Sequence, residues 1–118
     1  MTFKRIYLDY LEDIIDATEK ISQFIEGMTY EQFAKDAKTA YAVIRALEMI
    51  GEAAKQIPSS IREQYPDIAW REVTGIRDKL IHNYFGVNLE VVWKTAVEDV
   101  PNLVSQVRHI LNEIGRQQ

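Results

Sequence analysis

The chain has 118 residues, of which 47% are hydrophobic and 27% are charged, with no cysteine and a formal net charge of −4. This length predicts one domain over residues 1–118, and the absence of cysteine excludes disulfides and thiolate metal sites. The acidic balance argues against broad nucleic-acid binding through many phosphate contacts, although it allows a local basic site.

Glycine and proline contribute only five and three residues, so few turns are marked and long helices are favoured over a many-stranded sheet. No apolar run approaches the ~18 residues that a membrane span needs. The N-terminus leads directly into an amphipathic pattern rather than an apolar signal core. We therefore expect an all-α, cytoplasmic protein without a membrane segment.

The first predicted helix follows a 4-3-4-3 spacing of apolar residues and ends near Gly27. This spacing is carried by Phe3, Tyr7, Tyr10, Ile14, Ala17, Ile21, Phe24 and Met28. Thr29 and Gln32 have the spacing of a capping box. Asp36 is a second candidate cap, so residues 30–35 are predicted to form a short separate turn.

The second long helix follows Asp36 and is ended by Pro58. Gly51 falls on its apolar seam, where we interpret it as a close helix–helix approach; room for a ligand or a partner backbone is the alternative. A polar ridge runs along the same helix through Arg45, Glu48, Glu52 and Lys55. This ridge is typical of a solvated face with internal ion pairs, unless Glu48 or Glu52 orients Arg77 or His82.

A third helix is predicted from residue 68 to about residue 82, with Asp67 as its N-cap. Its core face consists of Ala69, Val73, Ile76 and Leu80. Arg77 lies beside that face. His82 lies five residues after Arg77 and is rotated from Arg77 by roughly 140° in an ideal helix. One helix face therefore cannot present both groups equally, so either the helix ends before His82 or another surface completes the site.

The last part of the chain predicts a helix exit at Gly86, a new helix capped by Asn88, and a break or first turn at Pro101. His109 is predicted to lie on the surface of the final helix. The apolar face of that helix is formed by Val100, Leu103, Val107, Ile110 and Ile114. Together these elements predict an antiparallel helical bundle of four to five helices.

Residues 77–84 combine chemical groups that suit a phosphodiester: the guanidinium of Arg77, the imidazole of His82 and the phenol of Tyr84. A guanidinium can bind two phosphate oxygens, and an imidazole can transfer protons near neutral pH. The structural alternative for Arg77 and His82 is an ion-pair and hydrogen-bond cluster at a helix end. For Tyr84 it is packing against Phe85 or Trp93.

The Arg-x4-His-x-Tyr pattern, in a helical chain of this size, resembles the HEPN superfamily and, within it, the HepT toxins. The resemblance extends over segments 50–58, 66–93 and 98–103 and covers essentially the whole chain. It implies a metal-independent endoribonuclease that acts as a homodimer and needs no cofactor. It also implies that the protein is the toxin of a type VII toxin–antitoxin pair.

By this resemblance Arg77 and His82 are the catalytic residues, and Asp78 is the polar residue that usually follows the arginine. Tyr84 matches the tyrosine that an MntA-like nucleotidyltransferase antitoxin modifies with AMP. The implied substrate is RNA, with tRNA and mRNA both open. The alternative function is a non-catalytic helical interaction module that binds a nucleotidyltransferase or a nucleotide. Lys79 and Arg71 are interpreted as ordinary solvated charges.

Overall fold

The computed structural model describes residues 3–80 and 86–117, with side chains described for residues 7–80 and 86–115. These residues confirm the all-α class. The α-helices are α1 Phe3–Phe24, α2 Tyr30–Lys35, α3 Ala37–Lys55, α4 Ser59–Gln64, α5 Trp70–Thr74, α6 Ile76–Leu80, α7 Leu89–Lys94 and α8 Val100–Gln117, with a π-helical segment at Thr95–Asp99. No helix among the described residues is long and apolar enough to cross a membrane.

The three long helices, α1, α3 and α8, supply most of the hydrophobic core. Their fully buried side chains include Leu11, Ile14, Ile21, Leu47, Ile50, Val107 and Ile110. Helices α1 and α8 run antiparallel: Glu19 in α1 pairs with Arg108 in α8 at 2.8 Å, whereas Tyr65 lies near Tyr7 and Glu113. The predicted antiparallel packing is therefore confirmed for this pair of helices.

The connection from α1 to α3 follows the predicted capping pattern. Gly27 adopts a positive φ of 75° after α1, which a residue with a side chain rarely does. The Thr29 hydroxyl accepts from the backbone N–H of Gln32 at 3.2 Å, and the Gln32 side chain accepts from the Thr29 N–H at 2.9 Å. The Asp36 carboxylate then caps α3 by accepting from the N–H of Thr39 at 3.0 Å.

The prediction of one continuous helix over residues 68–82 is wrong: α5 and α6 are separate short helices with a turn at Gly75. Asp67 does not cap α5, whose N-cap is Ala69 without a side-chain hydrogen bond. Ala69 was predicted to be buried but is exposed, and Trp70 is buried instead. The Trp70 indole donates to the carbonyl of Tyr65 at 3.0 Å, which satisfies the polar atom of this large side chain.

Of the two outcomes predicted for Pro101, a break or a new first turn, the structure shows the second. Pro101 lies in the first turn of α8, and the π-helical segment Thr95–Asp99 continues into α8 through Val100 without a break. Proline lacks an N–H, and its ring clashes with the carbonyl four residues earlier in a regular α-helix. The wider π-helical turn is a common way to relieve such a defect. Thr95 is buried there and donates its hydroxyl hydrogen to the Val91 carbonyl at 2.7 Å.

Candidate functional site

Helix α6 carries Arg77 between two buried anchors. Ile76 and Leu80 are 6% and 1% exposed, whereas Arg77, Asp78 and Lys79 are exposed. An amphipathic turn of this kind is held to the core by its apolar residues while its charged residues face solvent. Arg77 therefore has a fixed backbone and an accessible guanidinium.

A close approach at Gly51 positions α6 against α3. A Cβ atom at Gly51 would lie 2.7 Å from Cγ2 of Ile76 and 3.3 Å from the carbonyl oxygen of Val73. These distances are too short for an ordinary side chain at this position, so only glycine allows α5 and α6 to pack so near α3. The predicted role of Gly51 in close helix packing is confirmed, and the space above it is filled by this protein's own residues.

Arg77 reaches across this packed junction to the polar ridge of α3. Its Nε atom lies 4.0 Å from Oε2 of Glu48, with side-chain exposures of 71% for Arg77 and 27% for Glu48. No other hydrogen bond or ion pair of Arg77 is found within residues 3–80 and 86–117. Among these described residues, the terminal nitrogens of the guanidinium, Nη1 and Nη2, therefore have no partner.

Two other charged side chains, Glu52 on the same ridge of α3 and Lys79 on α6, have partners of their own. Glu52 pairs with Arg45 at 3.6 Å, as expected for a ridge with internal ion pairs. Lys79 donates to Asp99 at 2.9 Å on the side of α6 that faces the C-terminal helices. Both pairs are exposed and individually weak. Of the two glutamates considered from the sequence, Glu48 is the one that the fold brings to Arg77.

A groove of about 400 Å³ lies between α5–α6 and the helices that follow them, but Arg77 is not among its lining residues. The groove is lined in part by Val73, Ile76, Lys79, Asp99 and Leu103. The candidate phosphate-binding arginine thus lies on the α3 side of α6, away from this groove. Among the side chains described for the chain, no group of three or more histidine, cysteine, aspartate or glutamate residues is arranged to hold a metal ion.

The described residues on either side of positions 81–85 are held by hydrogen bonds. The backbone N–H of Asn88 donates to the carbonyl of Leu80 at 3.0 Å, and the Asn88 side chain caps α7 by accepting from the N–H groups of Glu90 and Val91. Gly86 has a positive φ of 102°, as predicted for this helix exit. His82 and Tyr84 belong to positions 81–85 and lie outside the described residues, so their assignments remain predictions.

One exposed aromatic residue on α3 was not singled out from the sequence. Tyr41 is 75% exposed and lies seven residues before Glu48, so the two side chains share a face of the helix. Met49, 41% exposed, directly follows Glu48 and therefore lies on a different side of the helix. The available sequence signal was a large aromatic residue at helical spacing from the polar ridge. His109, in contrast, is exposed and pairs with Glu113 at 3.0 Å, which agrees with its predicted surface position.

Comparison with known proteins gives consistent matches over nearly the whole chain. The family model described as "Ribonuclease HepT-like" matches residues 14–110. The chain is 54% identical over 100 residues to the "Probable ribonuclease HepT" of Thermococcus cleftensis, covering 85% of this chain and 91% of that protein. It is 42% identical over 104 residues to a "Putative RNase" of Caldanaerobacter subterraneus, covering 88% and 93% of the two chains. No solved structure matches the chain significantly.

Proposed function

Because the chain belongs to the HepT-like family of ribonucleases, we propose that it is a metal-independent endoribonuclease whose catalytic residues are Arg77 and His82. The observation that carries this proposal is that Arg77 has an anchored backbone and an exposed side chain. Its backbone is anchored by two buried neighbours, its side chain is 71% exposed, and it follows the Arg-x4-His-x-Tyr spacing.

The proposed reaction uses the nucleophile that RNA itself provides. A general base removes the proton of the 2′-OH, the 2′-oxygen bonds to phosphorus, and the bond from phosphorus to the 5′-oxygen breaks. A general acid gives a proton to the departing 5′-oxygen. The imidazole of His82 suits either proton transfer, and such transfers contribute about 10²–10⁴-fold to enzymatic rates. Arg77 stabilises the charge on the non-bridging oxygens of the phosphorane, with Asp78 beside it in a supporting role.

The need for both an acid and a base supports a homodimer, since each chain supplies only one histidine at this position. A two-fold dimer would place two copies of His82 and Arg77 in one cleft, and two-fold pairs are the commonest symmetric assembly. The exposed Tyr41, two helical turns before Glu48 on the same face of α3, adds a physical argument, because tyrosine is enriched at protein interfaces.

The proposed biological role is that of the toxin of a type VII toxin–antitoxin pair. The partner is an MntA-like nucleotidyltransferase that attaches AMP to the hydroxyl of Tyr84. Tyr84 lies two residues after His82, so AMP at this position adds bulk and negative charge beside the catalytic histidine. Both effects oppose the binding of an RNA phosphate. We assign Tyr84 as the modification site and propose RNA and the nucleotidyltransferase as the partners.

The decisive experiment is cleavage of total cellular RNA by the purified protein in EDTA, beside His82→Ala and Arg77→Ala. Intact mass must first establish that Tyr84 carries no AMP. Cleavage by the wild type alone would support a metal-free nuclease that depends on these two side chains. Equal cleavage by all three proteins would place the chemistry elsewhere. If none cleaves RNA, the non-catalytic interaction module becomes the better description.

The proposed antitoxin mechanism has a separate test. The purified protein is incubated with the nucleotidyltransferase and ATP, and both its mass and its cleavage of RNA are measured. We expect a gain of one AMP and loss of cleavage in the wild type. In Tyr84→Phe we expect neither change. Full neutralisation of Tyr84→Phe, without modification at any other residue, would refute the proposal that modification of Tyr84 inactivates the nuclease.

A further inference from the structure

The contact between Glu48 and Arg77 involves one particular edge of the guanidinium. Glu48 approaches the Nε atom of the guanidinium, at 4.0 Å, rather than its terminal nitrogens. The guanidinium is a planar group with five N–H donors in a fixed geometry. At 4.0 Å the contact is an ion pair and not a hydrogen bond, and it leaves the fork formed by Nη1 and Nη2 without a partner among the described residues. This fork is the part of the side chain that can bind two phosphate oxygens at once.

We infer that Glu48 is a positioning residue that orients the guanidinium of Arg77 for binding the scissile phosphate. This inference rests on the proposed ribonuclease function, since it assigns Arg77 to the transition state. An arginine side chain has many rotamers, and a charged partner on one edge restricts them before the substrate arrives. Preorganised donors of this kind stabilise a transition state without reorganising during the reaction.

The surroundings of the two side chains show which one acts as the fixed support. Glu48 lies in the middle of α3, and its side chain is 27% exposed. Arg77 is on a five-residue helix and its side chain is 71% exposed. The half-buried carboxylate is therefore the better-held member of the pair.

Glu52 provides an internal comparison. It lies one helical turn after Glu48 on the same ridge and has the same side chain. Its carboxylate pairs with Arg45 at 3.6 Å and is 66% exposed. Replacing Glu52 thus removes the same negative charge from the same face of α3 without removing a partner of Arg77.

A purely electrostatic role for Glu48 would have the opposite effect on catalysis. A carboxylate near an RNA-binding site repels phosphate, so removing it would strengthen substrate binding and lower KM. Positioning of Arg77, in contrast, acts mainly on the transition state. Removal of an interaction that is used only in the transition state lowers kcat and kcat/KM together and leaves KM nearly unchanged.

The test is steady-state cleavage of a defined RNA by wild type, Glu48→Gln and Glu52→Gln. For Glu48→Gln we expect kcat to fall about tenfold with KM nearly unchanged, because small misplacements of a catalytic group are costly. For Glu52→Gln we expect kcat to stay within about twofold of wild type, since its exposed ion pair is weak. A kcat of Glu48→Gln equal to that of Glu52→Gln would overturn the inference, as would a lower KM without a fall in kcat.

The Arg77→Lys background distinguishes positioning from a general structural effect. Lysine keeps the charge but has no planar fork to orient. The fall in kcat caused by Glu48→Gln should therefore shrink to about twofold in this background, as coupled residues in a double-mutant cycle do. An undiminished tenfold fall would mean that Glu48 acts through something other than Arg77. Melting curves of each variant, monitored by circular dichroism, exclude unfolding as the cause.

The outcome for Glu48 is separable from the outcome for the proposed function. If wild type cleaves RNA, Arg77→Ala and His82→Ala do not, and Glu48→Gln matches wild type, the positioning role fails and the ribonuclease assignment stands. If wild-type protein free of AMP on Tyr84 does not cleave RNA in EDTA, both proposals fail together.

Discussion

Ile76 packs against the bare backbone of Gly51, and this contact holds the helix that carries Arg77 against α3. The Cγ2 atom of Ile76 occupies the space where a Cβ of residue 51 would lie, at only 2.7 Å from it. Arg77 is the next residue in the chain, so the position of its backbone depends on this contact. Packing inside the core thereby determines where the candidate catalytic arginine lies.

Gly51→Ala is expected to destabilise the protein even though alanine favours helices. The gain in helix propensity is about 1 kcal/mol. Overpacking typically costs about 1–3 kcal/mol, and here the carbonyl of Val73 also blocks relaxation. We expect a net loss of about 1 kcal/mol in the free energy of unfolding, measured with urea, and lower RNA cleavage because α6 is displaced. Gly115→Ala in α8 is the control.

A Cβ at Gly115 would meet no atom within 4 Å, so only the gain in helix propensity remains at that position. Gly115→Ala should therefore raise the free energy of unfolding by about 0.5–1 kcal/mol. Equal stabilisation by the two substitutions would contradict the close packing of Ile76 on Gly51.

Substitutions of Arg77 should separate its charge from its geometry. Arg77→Ala is expected to lower kcat by at least about 100-fold, the usual effect of removing a donor that stabilises a developing oxyanion. Arg77→Lys should recover only part of this activity because lysine cannot bind two oxygens through a planar fork. Lys79→Gln is the control, since Lys79 is exposed nearby and pairs with Asp99. Cleavage assays should place Lys79→Gln within about twofold of wild type.

Asn88→Ala should affect both stability and catalysis, because Asn88 caps α7 a few residues after His82 and Tyr84 in the chain. Loss of such a cap costs about 1 kcal/mol. Thr29→Ala removes the cap of α2 and should cost a similar amount without lowering kcat. Urea unfolding and RNA cleavage of both variants check this difference. Equal kcat values for the two variants would show that the cap at Asn88 does not matter for catalysis.

Tyr41→Arg is expected to weaken the proposed homodimer by placing a charge on the exposed face of α3. A like charge from each subunit at a two-fold interface costs binding energy and leaves the monomer fold intact. Light scattering after size-exclusion chromatography should show a shift towards monomer, with a parallel loss of cleavage. Val97→Arg adds the same charge at a side chain that is also exposed, at 39%. An equal shift by Val97→Arg would place the interface elsewhere.

Tyr65 should make the stability of the fold sensitive to alkaline pH. Burial raises the pKa of the Tyr65 phenol, and the nearby Glu113 carboxylate raises it further. The neutral phenol is therefore favoured in the folded state, and its contribution is fully present below the ordinary pKa of about 10. This contribution is lost as pH rises through the raised pKa. Urea unfolding at pH 8 and pH 11 should show that Tyr65→Phe loses less stability over this interval than wild type does.

Local sequence signals predicted the helix ends correctly wherever a cap determines them. Thr29, Asp36 and Asn88 each accept the backbone hydrogen bonds expected of an N-cap. Gly27 and Gly86 both have the positive φ that glycine allows most easily. These features depend on a few neighbouring residues, so the chain specifies them without reference to the rest of the fold.

The prediction of the third helix was wrong because the ends of the helices in this region depend on residues that are distant in the chain. The apolar spacing of residues 69–80 fits one helix, yet the chain turns at Gly75. Trp70 is buried and Ala69 is exposed, since the core offers a place for the larger ring and a carbonyl for its indole N–H. The periodicity of apolar residues along the chain contains no information about a contact of this kind.

The sequence by itself determined the all-α class, the caps at Thr29, Asp36 and Asn88, and the Arg-x4-His-x-Tyr pattern, because each depends on residues close together in the chain. Only the tertiary structure decided which carboxylate meets Arg77. Glu48 and Glu52 are equivalent by helical pattern, and the close approach of Ile76 to Gly51 brings Arg77 to Glu48. That choice depends on how two helices pack, which is set by side-chain volume across the core.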